Sequence, residues 1–334
     1  MDDILVSIGC ITYNHEKYIA DAIEGFLMQK TNFKLEIIIN DDASTDKTAD
    51  IIRTYEEKYP NIIKAIYQVE NQFSKGIDID NEFIQKNAKG KYIAVCEGDD
   101  YWTDPYKLQK QVDYMEGHPQ CSMCFHAAKR VTPDKKPLGD FLGDYGSGNN
   151  SYELKDIGGE FLATASKMYV KTIMDNPPGW YFIGEASDFT SQLIIMEKGY
   201  AYYIDEVMSA YRVNVPGSSN ERYNKRSKEE LVNYNKERIK ILNEFNKYSN
   251  YRHLDFIKKT ALTYELNILL LEEKIKSRVN KLNIIKSKGY FESMKSREKT
   301  KLYTKCYFPK SYEKLAHVKA KIYAKQYDGK MDWE

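Results

Sequence analysis

A chain of 334 residues, 42% of them hydrophobic and 30% charged, has the length for an α/β domain with an appendage and enough apolar residues for a sizeable core. It contains no run of 18 apolar residues and its N-terminus has no signal-peptide pattern, which argues against a membrane-spanning or secreted protein. The net charge of +1 divides into −12 over residues 1–220 and +13 over residues 221–334. We therefore expect an acidic catalytic domain over 1–220 and a basic helical region over 221–334 that meets something anionic.

The first 127 residues alternate short apolar runs with helical patterns. The apolar runs, each rich in β-branched or aromatic residues, predict five strands, and the stretches between most of them repeat apolar residues at helical spacing. Such a βαβ alternation predicts a doubly wound, mostly parallel sheet. The predicted strands are Ile4–Ile11, Leu35–Ile39, Ile62–Tyr67, Lys91–Cys96 and Cys121–Ala127.

Polar residues follow the first two predicted strands directly. A strand, a polar turn and a helix form the unit with which an α/β sheet builds a nucleotide pocket, because the loop amides and the helix N-terminus face the ligand. Helix capping is the alternative role for these residues, although a cap needs only one oxygen. The candidates are Thr12, Tyr13, Asn14 and Glu16 after the first strand, and Asp41 and Asp42 after the second.

The strand that ends at Cys96 leads into the segment Glu97-Gly98-Asp99-Asp100-Tyr101-Trp102. Three carboxylates within four residues repel one another unless solvent or a cation lies close by. At the carboxyl end of a parallel strand, a dication with oxygen ligands, Mg²⁺ or Mn²⁺, is the natural partner. The alternative is an acidic turn before a helix that Asp104 caps.

The cysteines and the missing motifs exclude other classes. Buried thiols in the predicted strands favour reduced cysteines and a cytoplasmic protein. Cys121-x-x-Cys124 has no second pair at metal-binding spacing, which disfavours a zinc site. No G-x-G-x-x-G follows the first strand and no P-loop motif occurs, so an NAD-type oxidoreductase and a P-loop NTPase lose their support.

Taken together, these segments resemble the family-2 glycosyltransferases of the GT-A fold, in particular a bacterial subgroup that builds surface polysaccharides such as capsule or O-antigen. The resemblance extends over residues 4–127 and is carried by three linked segments, namely Val6-Ser7-Ile8 with Thr12-Tyr13-Asn14, Asn40–Asp46, and Glu97–Asp100.

The resemblance implies roles for these residues. Thr12, Tyr13, Asn14 and Glu16 would line the nucleotide site, Asp41 would meet the uracil ring with Asp42 beside it, and Lys75 would reach the nucleotide or its phosphates. Asp99 would bind Mn²⁺ or Mg²⁺ with Glu97, which stands where aspartate is commoner, and Glu97 or Asp100 would contact the sugar or the ribose. Gly98, Asp100 and Trp102 complete the implied donor site.

The candidates for the catalytic base lie in the second half of the sequence. Residues 132–160 predict a long loop, Phe161–Met174 a helix, and Leu193–Met196 a further helix with Asp188 in its first turn. A carboxylate flanked by aromatic residues suits a base, and the resemblance implies Asp188, with Glu185 as its rival. The alternative for both is a charge that complements the helix dipole.

The chain closes with two predicted edge strands, Tyr200–Asp205 and Val207–Tyr211, followed by helices. Residues 274–330 hold 17 Lys and Arg against 4 Asp and Glu. These basic helices either bind an anionic membrane surface or present a solvated face while packing on the core. No nucleic-acid motif occurs, so no nucleic-acid partner is expected.

The sequence thus predicts an inverting, metal-dependent glycosyltransferase that moves a hexosyl or N-acetylhexosaminyl group from a UDP-sugar. Its acceptor would be a glycan or a polyprenyl-linked glycan at the inner face of the membrane. The alternative is a non-catalytic partner that binds nucleotide-sugar or glycan within a polysaccharide assembly complex.

Overall fold

A computed structural model describes residues 4–143, 145–184 and 187–271, together with residues 299, 300 and 304. The chain forms two compact units: one comprises residues 1–137 and 141–215, the other residues 138–140 and the chain from 216 on. Glu185 lies outside the described residues, and so does all of 274–330 except the three residues just named. The rival base and the basic C-terminal helices therefore remain predictions.

Ten strands occur within the described residues, and they belong to a single sheet. They are β1 (Ile4–Thr12), β2 (Lys34–Asp41), β3 (Ile63–Tyr67), β4 (Tyr92–Val95), β5 (Tyr101–Trp102), β6 (Cys121–Val131), β7 (Pro137–Leu142), β8 (Asn150–Tyr152), β9 (Met168–Val170) and β10 (Tyr200–Arg212).

The helices follow the apolar spacing of the sequence. In the first of them, Ile19, Ala22, Ile23 and Phe26 recur at helical spacing and are all buried. No helix in the described part of the chain is both long and apolar enough to cross a membrane. The helices are α1 (Ile19–Leu27), α2 (Thr48–Lys58), α3 (Lys107–Gly117), α4 (Leu154–Ile157), α5 (Ser187–Glu197), α6 (Ser219–Lys225), α7 (Lys228–Tyr248) and α8 (Leu254–Leu271).

The sheet is mixed rather than mostly parallel. Its strand order is β3-β2-β1-β4-β9-β6-β10-β5, with β7 beside β6 and β8 beside β10. Strands β1 to β4 pair in parallel, as predicted, and β6 pairs in parallel with β10. Between these two parallel parts, β9 lies antiparallel to both β4 and β6. This insertion separates β6 from the strands that the sequence placed directly before it.

The predicted helix over Phe161–Met174 is wrong. A short 3-10 turn at Thr164–Ser166 leads into β9 instead. The side chains of Trp102 and Gln111 donate hydrogen bonds to the carbonyls of Ala165 and Ser166, at 2.8 and 2.9 Å. These carbonyls are therefore satisfied by buried side chains from elsewhere in the chain, and an α-helical ladder is not formed there.

Two other expectations also change. The predicted loop over 132–160 contains β7, β8 and α4. The two predicted edge strands form one strand, β10, which has neighbours on both sides. Its register against β6 shifts between Ile204 and Val207, and this irregularity interrupts the alternation that marks a continuous strand.

Candidate active site

The segment Glu97–Asp100 lies against the carboxyl end of β1. The amides of Cys96 and Gly98 donate to the carbonyls of Gly9 and Ile11, at 3.0 and 2.9 Å. A Cβ atom on Gly98 would lie 2.6 Å from Thr12 Oγ1 and 3.0 Å from His15 Nδ1. Only glycine allows this approach, so Gly98 brings the acidic segment onto the turn that follows β1.

That turn is joined to the loop after β2 by reciprocal hydrogen bonds. The amide of Asn14, a residue with a φ of 55°, donates to Ser44 Oγ at 2.8 Å, and the amide of Thr45 donates to Asn14 Oδ1 at 2.8 Å. The amide of Glu16 donates to Asp46 at 3.1 Å. Asn14 and Glu16, predicted as nucleotide contacts, thus hold two loops together, while the neighbouring Tyr13 is exposed.

Asp41 and Asp42 differ in their surroundings. Asp41 accepts hydrogen bonds from Ser44, and burial raises the pKa of its carboxyl group. Asp42 accepts from the backbone amides of Gln72 and Phe73, at 2.7 and 3.1 Å. Asp42 therefore fixes the loop that carries Lys75.

Lys75 lies on the 3-10 turn that Asp42 anchors, and its ammonium forms an ion pair with the Glu70 carboxylate. About half of each side chain is exposed, at 46% for Lys75 and 59% for Glu70. An exposed ion pair of this kind contributes little stability. Lys75 can therefore leave its partner at little cost to reach a nucleotide.

The carboxylates of Glu97, Asp99 and Asp100 form a crowded group. Asp99 is 8% exposed and Asp100 1% exposed. Burial, followed by the charges of neighbouring carboxylates, Asp99 foremost, raises the pKa of both Glu97 and Asp100. Asp100 Oδ1 accepts from the amide of Arg212 at 2.8 Å, whereas Asp100 Oδ2 is buried without a partner. A cation beside this group would remove the electrostatic cost.

Arg212 holds the backbone of the acidic segment in place. Its guanidinium, on a side chain that is fully buried, donates to the carbonyl of Asp99 at 2.5 Å and pairs with the Asp21 carboxylate. The rings of Tyr18 and Tyr101 lie 5.0 and 4.6 Å from its Cζ atom. No local pattern in the sequence marks Arg212 as a site residue, because its partners Asp99, Asp100 and Asp21 are more than a hundred residues away in sequence.

Trp102, predicted to contact the donor, is packed in the core. Its side chain is 2% exposed, and its indole N–H donates a hydrogen bond to the carbonyl of Ala165. The ring of Phe26 lies 4.9 Å away and the ammonium of Lys107 lies 4.1 Å from its centroid. Trp102 therefore anchors in the core the segment that follows Asp100.

Asp188 lies in the first turn of α5, and its carboxylate pairs with the ammonium of Lys167 at 2.5 Å. It lines a cavity of about 30 Å³ together with Asp80, Lys167, Thr164 and Tyr181. Burial, then the charges of Asp78 and Asp188, raises the pKa of Asp80 to about 7. Val95, the last residue of β4 and two residues before Glu97, lines the same cavity, so the cavity lies beside the strand that leads into the acidic segment. Sequence reasoning missed Asp80 and Lys167, since no local motif marks either residue.

The described residues contain no cluster of three His, Cys, Asp or Glu side chains that would enclose a metal ion alone. Mg²⁺ and Mn²⁺ in nucleotide sites commonly take only one or two carboxylates and complete their shell with phosphate and water. The unpartnered Asp100 Oδ2 and the raised pKa of Glu97 fit this arrangement. Glu97 and Asp99 are therefore suited to hold such a cation once a diphosphate supplies the remaining ligands.

Comparison with known proteins finds a matching family model and several relatives. Residues 7–171 match the family model described as glycosyl transferase family 2. An uncharacterized protein of Mycobacterium tuberculosis, Rv1520, is 45% identical over 129 residues, which are 39% of this chain and 36% of that protein. The chain thus matches about a third of the length of its mycobacterial relatives. TuaG of Bacillus subtilis, a putative teichuronic acid biosynthesis glycosyltransferase, is 31% identical over 220 residues, 65% of this chain and 82% of TuaG.

Two solved structures show the same fold. Staphylococcus aureus TarS residues 1–349, crystallised with UDP-GlcNAc, superposes with a TM-score of 0.58 at 17% identity, covering 91% of this chain and 79% of TarS. The mannosyltransferase PcManGT of Pyrobaculum calidifontis, crystallised with GDP-Man and Mn²⁺, gives 0.54 at 14% identity, covering 96% of this chain and 85% of PcManGT. At such identities the likeness establishes the mixed α/β GT-A architecture alone.

Proposed function

The chain belongs to glycosyl transferase family 2, and from that premise we propose that it transfers a sugar from a UDP-sugar to a glycan or lipid-linked glycan acceptor with inversion. The observation that carries this proposal is the approach of the segment Glu97–Asp100 to Thr12 at the carboxyl end of β1, with Asp188 lining a cavity that Val95 at the end of β4 also lines. The proposed donor site, cation site and base would then share one edge of the sheet.

The donor is proposed to lie over the loops that follow β1 and β2. Asp41 would receive the base of the nucleotide, because its carboxylate stands at the end of β2 and bonds only its own loop. Lys75 would exchange Glu70 for the diphosphate. We choose a UDP-sugar, hexosyl or N-acetylhexosaminyl, on the sequence resemblance, and the UDP-GlcNAc complex of TarS supports the choice.

Glu97 and Asp99 are proposed to hold Mn²⁺ or Mg²⁺. A cation bound there would neutralise the diphosphate as it leaves the sugar. Arg212 keeps Asp99 in place through its carbonyl, so the carboxylate of Asp99 is left to face the cation. Gly98 keeps the whole segment against Thr12.

Asp188 is proposed to take the proton from the acceptor hydroxyl. In a single displacement the acceptor oxygen forms a bond to the anomeric carbon, the bond to the phosphate oxygen breaks, and UDP leaves with its electron pair. The proton passes to the Asp188 carboxylate. This step requires Asp188 and the cation to lie on opposite sides of the anomeric carbon.

The acceptor and the cellular location are proposed with support from the relatives and from the charge of the chain. TuaG bears the name of a teichuronic acid glycosyltransferase, which supports a role in bacterial surface polysaccharide synthesis. We propose a cytoplasmic enzyme that meets a polyprenyl-linked acceptor at the inner membrane face, with the basic residues 274–330 on anionic lipid.

The test is release of UDP from a panel of UDP-sugars with Mn²⁺, with and without a pool of polyprenyl diphosphate-linked glycans. Asp188→Asn is expected to abolish transfer and to bind UDP as the wild type does, whereas Asp113→Asn on α3 stays active. Activity that survives Asp188→Asn and is lost in Glu185→Gln would move the base to Glu185. A wild type that binds UDP-sugars and releases no UDP would instead be the non-catalytic binding partner.

A further inference from the structure

We propose that Lys167 is a positioning residue for Asp188: its ammonium fixes one oxygen of the carboxylate so that the other faces the acceptor. This inference rests on the proposed role of Asp188 as base. It adds a residue that neither the sequence motifs nor the family resemblance assigned. It also explains why a lysine is buried at this edge of the sheet.

The two partners of this ion pair differ greatly in exposure. The Lys167 side chain is 7% exposed and that of Asp188 48% exposed, with Nζ 2.5 Å from Oδ1. A buried ammonium is tolerated only when it is paired, so the lysine holds the carboxylate as strongly as the carboxylate holds the lysine. Asp188 Oδ2 receives no described hydrogen bond, and nearly half of the Asp188 side chain is exposed, so this oxygen is the one left for the acceptor.

Hydrogen bonds from other segments hold the backbone around Lys167. Trp102 and Gln111 donate to the carbonyls of the two residues before Lys167, and the amide of Val95 donates to the carbonyl of Lys167 at 3.3 Å. The next residue, Met168, begins β9, which is paired on both sides. Lys167 is therefore the fixed partner, and it locates the first turn of α5.

The charges around Asp188 give the lysine a second task. Asp80 lines the same cavity as Asp188, and the charge of Asp188 also acts on Glu97, Tyr169 and Tyr211. Among these neighbours Lys167 supplies the positive charge, and it partly offsets the rise that burial and the other carboxylates cause in the pKa of Asp80. Without it, three carboxylates would repel one another and Asp188 would turn toward solvent.

The test compares Lys167→Met, which keeps the stem and removes the charge, with Lys167→Arg and with a matched control. Lys171 forms a comparable pair with Asp175, also 2.5 Å long, on a side chain that is 18% exposed, so Lys171→Met removes a similar ion pair that does not include Asp188. UDP release is followed from UDP-GlcNAc and UDP-glucose with Mn²⁺, water serving as the acceptor. Crystal structures of Lys167→Met and Lys171→Met accompany the kinetics.

Lys167→Met is expected to lower kcat on the order of 100-fold, as for a misplaced catalytic group, with KM and the affinity for UDP unchanged. Lys167→Arg should retain part of the wild-type kcat, and Lys171→Met should retain all of it. In the crystal, the Asp188 carboxylate should be displaced in Lys167→Met alone.

Two results would overturn the inference while leaving the proposed function standing. They are a raised KM with kcat unchanged, which would make Lys167 a donor contact, and an Asp188 carboxylate that stays in place without the lysine. A wild type that releases no UDP, or an Asp188→Asn variant that remains active, would instead remove the premise. The crystallographic comparison still decides the positioning in that case.

Discussion

At the residue scale, the carboxylates of the acidic segment have unequal tasks. One carboxylate oxygen of Asp100 accepts a hydrogen bond from the amide of Arg212, whereas no described hydrogen bond involves the carboxylate of Asp99. Asp99→Asn is therefore expected to weaken Mn²⁺ binding in the presence of UDP by at least ~10-fold, since even indirect partners of a metal site cost that much. Calorimetric titration of Mn²⁺ checks this.

Asp113 provides the control for that titration. It lies on α3, where its carboxylate accepts a hydrogen bond from Gln109 at 2.7 Å. Asp113→Asn should bind Mn²⁺ and UDP as the wild type does. Unchanged Mn²⁺ affinity in Asp99→Asn would contradict the assignment of the cation to this residue.

Lys107 offers a second prediction at this scale, about stability rather than activity. It is fully buried, donates to Gln111 at 2.8 Å, and burial lowers its pKa to about 7. Between that value and its ordinary value of 10.5, the unfolded chain binds more protons than the folded chain, so this lysine makes stability rise with pH. The slope is at most ~1.4 kcal/mol per pH unit.

Lys107→Met should remove that slope. The difference in free energy of unfolding between the variant and the wild type is expected to favour the variant most near neutral pH and to shrink as pH rises. Urea denaturation of both proteins over this range gives the difference, in which the other titrating groups cancel. Parallel curves would show that Lys107 has the same protonation state in the folded and the unfolded chain, and would contradict the lowered pKa.

At the element scale, the contact between the acidic segment and the turn after β1 depends on Gly98. A Cβ there would lie 2.6 Å from Thr12 Oγ1 and 2.7 Å from Thr12 Cβ. Gly98→Ala is therefore expected to lower stability by about 1–3 kcal/mol, as overpacking does, and to weaken UDP binding. Denaturation and UDP titration measure the two effects.

Gly117, the last residue of α3, is the matched glycine. A Cβ added there meets nothing within 4 Å, and alanine favours the helix. Gly117→Ala should retain full UDP binding and the same or higher stability. If both glycine variants behaved alike, the close approach of the two segments would not be what positions the site.

The elements also show where sequence reasoning succeeds. Strands β1 to β4 and the helices between them were predicted because each carries its own local pattern, an apolar run followed by a polar turn. Strand β9 was missed because its conformation is set by Trp102 and Gln111, which lie more than fifty residues away. Lys167 and Asp80 were missed for the same reason: their roles arise only when β9 enters the sheet beside β4.

At the scale of the whole molecule, the first 220 residues carry an excess of acidic side chains, and several of these lie in the candidate site. Asp80 and the carboxylates of Glu97 and Asp100 share one edge of the sheet, and each has a raised pKa. A carboxylate with a raised pKa favours the folded state below its unfolded pKa. That contribution is lost as pH rises through the folded pKa, about 7 for Asp80. These raised pKa values thus weaken the fold as pH rises, and a cation bound beside the carboxylates would offset that loss.

This balance predicts how ligand stabilisation depends on pH. Mn²⁺ binding requires Glu97 to be ionised, so the affinity should rise with pH and binding should release protons. The increase in Tm from Mn²⁺ and UDP is therefore expected to be larger near about pH 8.5 than near about pH 7, where the phosphates are already ionised in both cases. Thermal unfolding with UDP-, GDP- and dTDP-sugars, with and without Mn²⁺, measures this together with donor preference. Asp99→Asn should show little shift at either pH, and an equal shift at both in the wild type would place the cation away from these carboxylates.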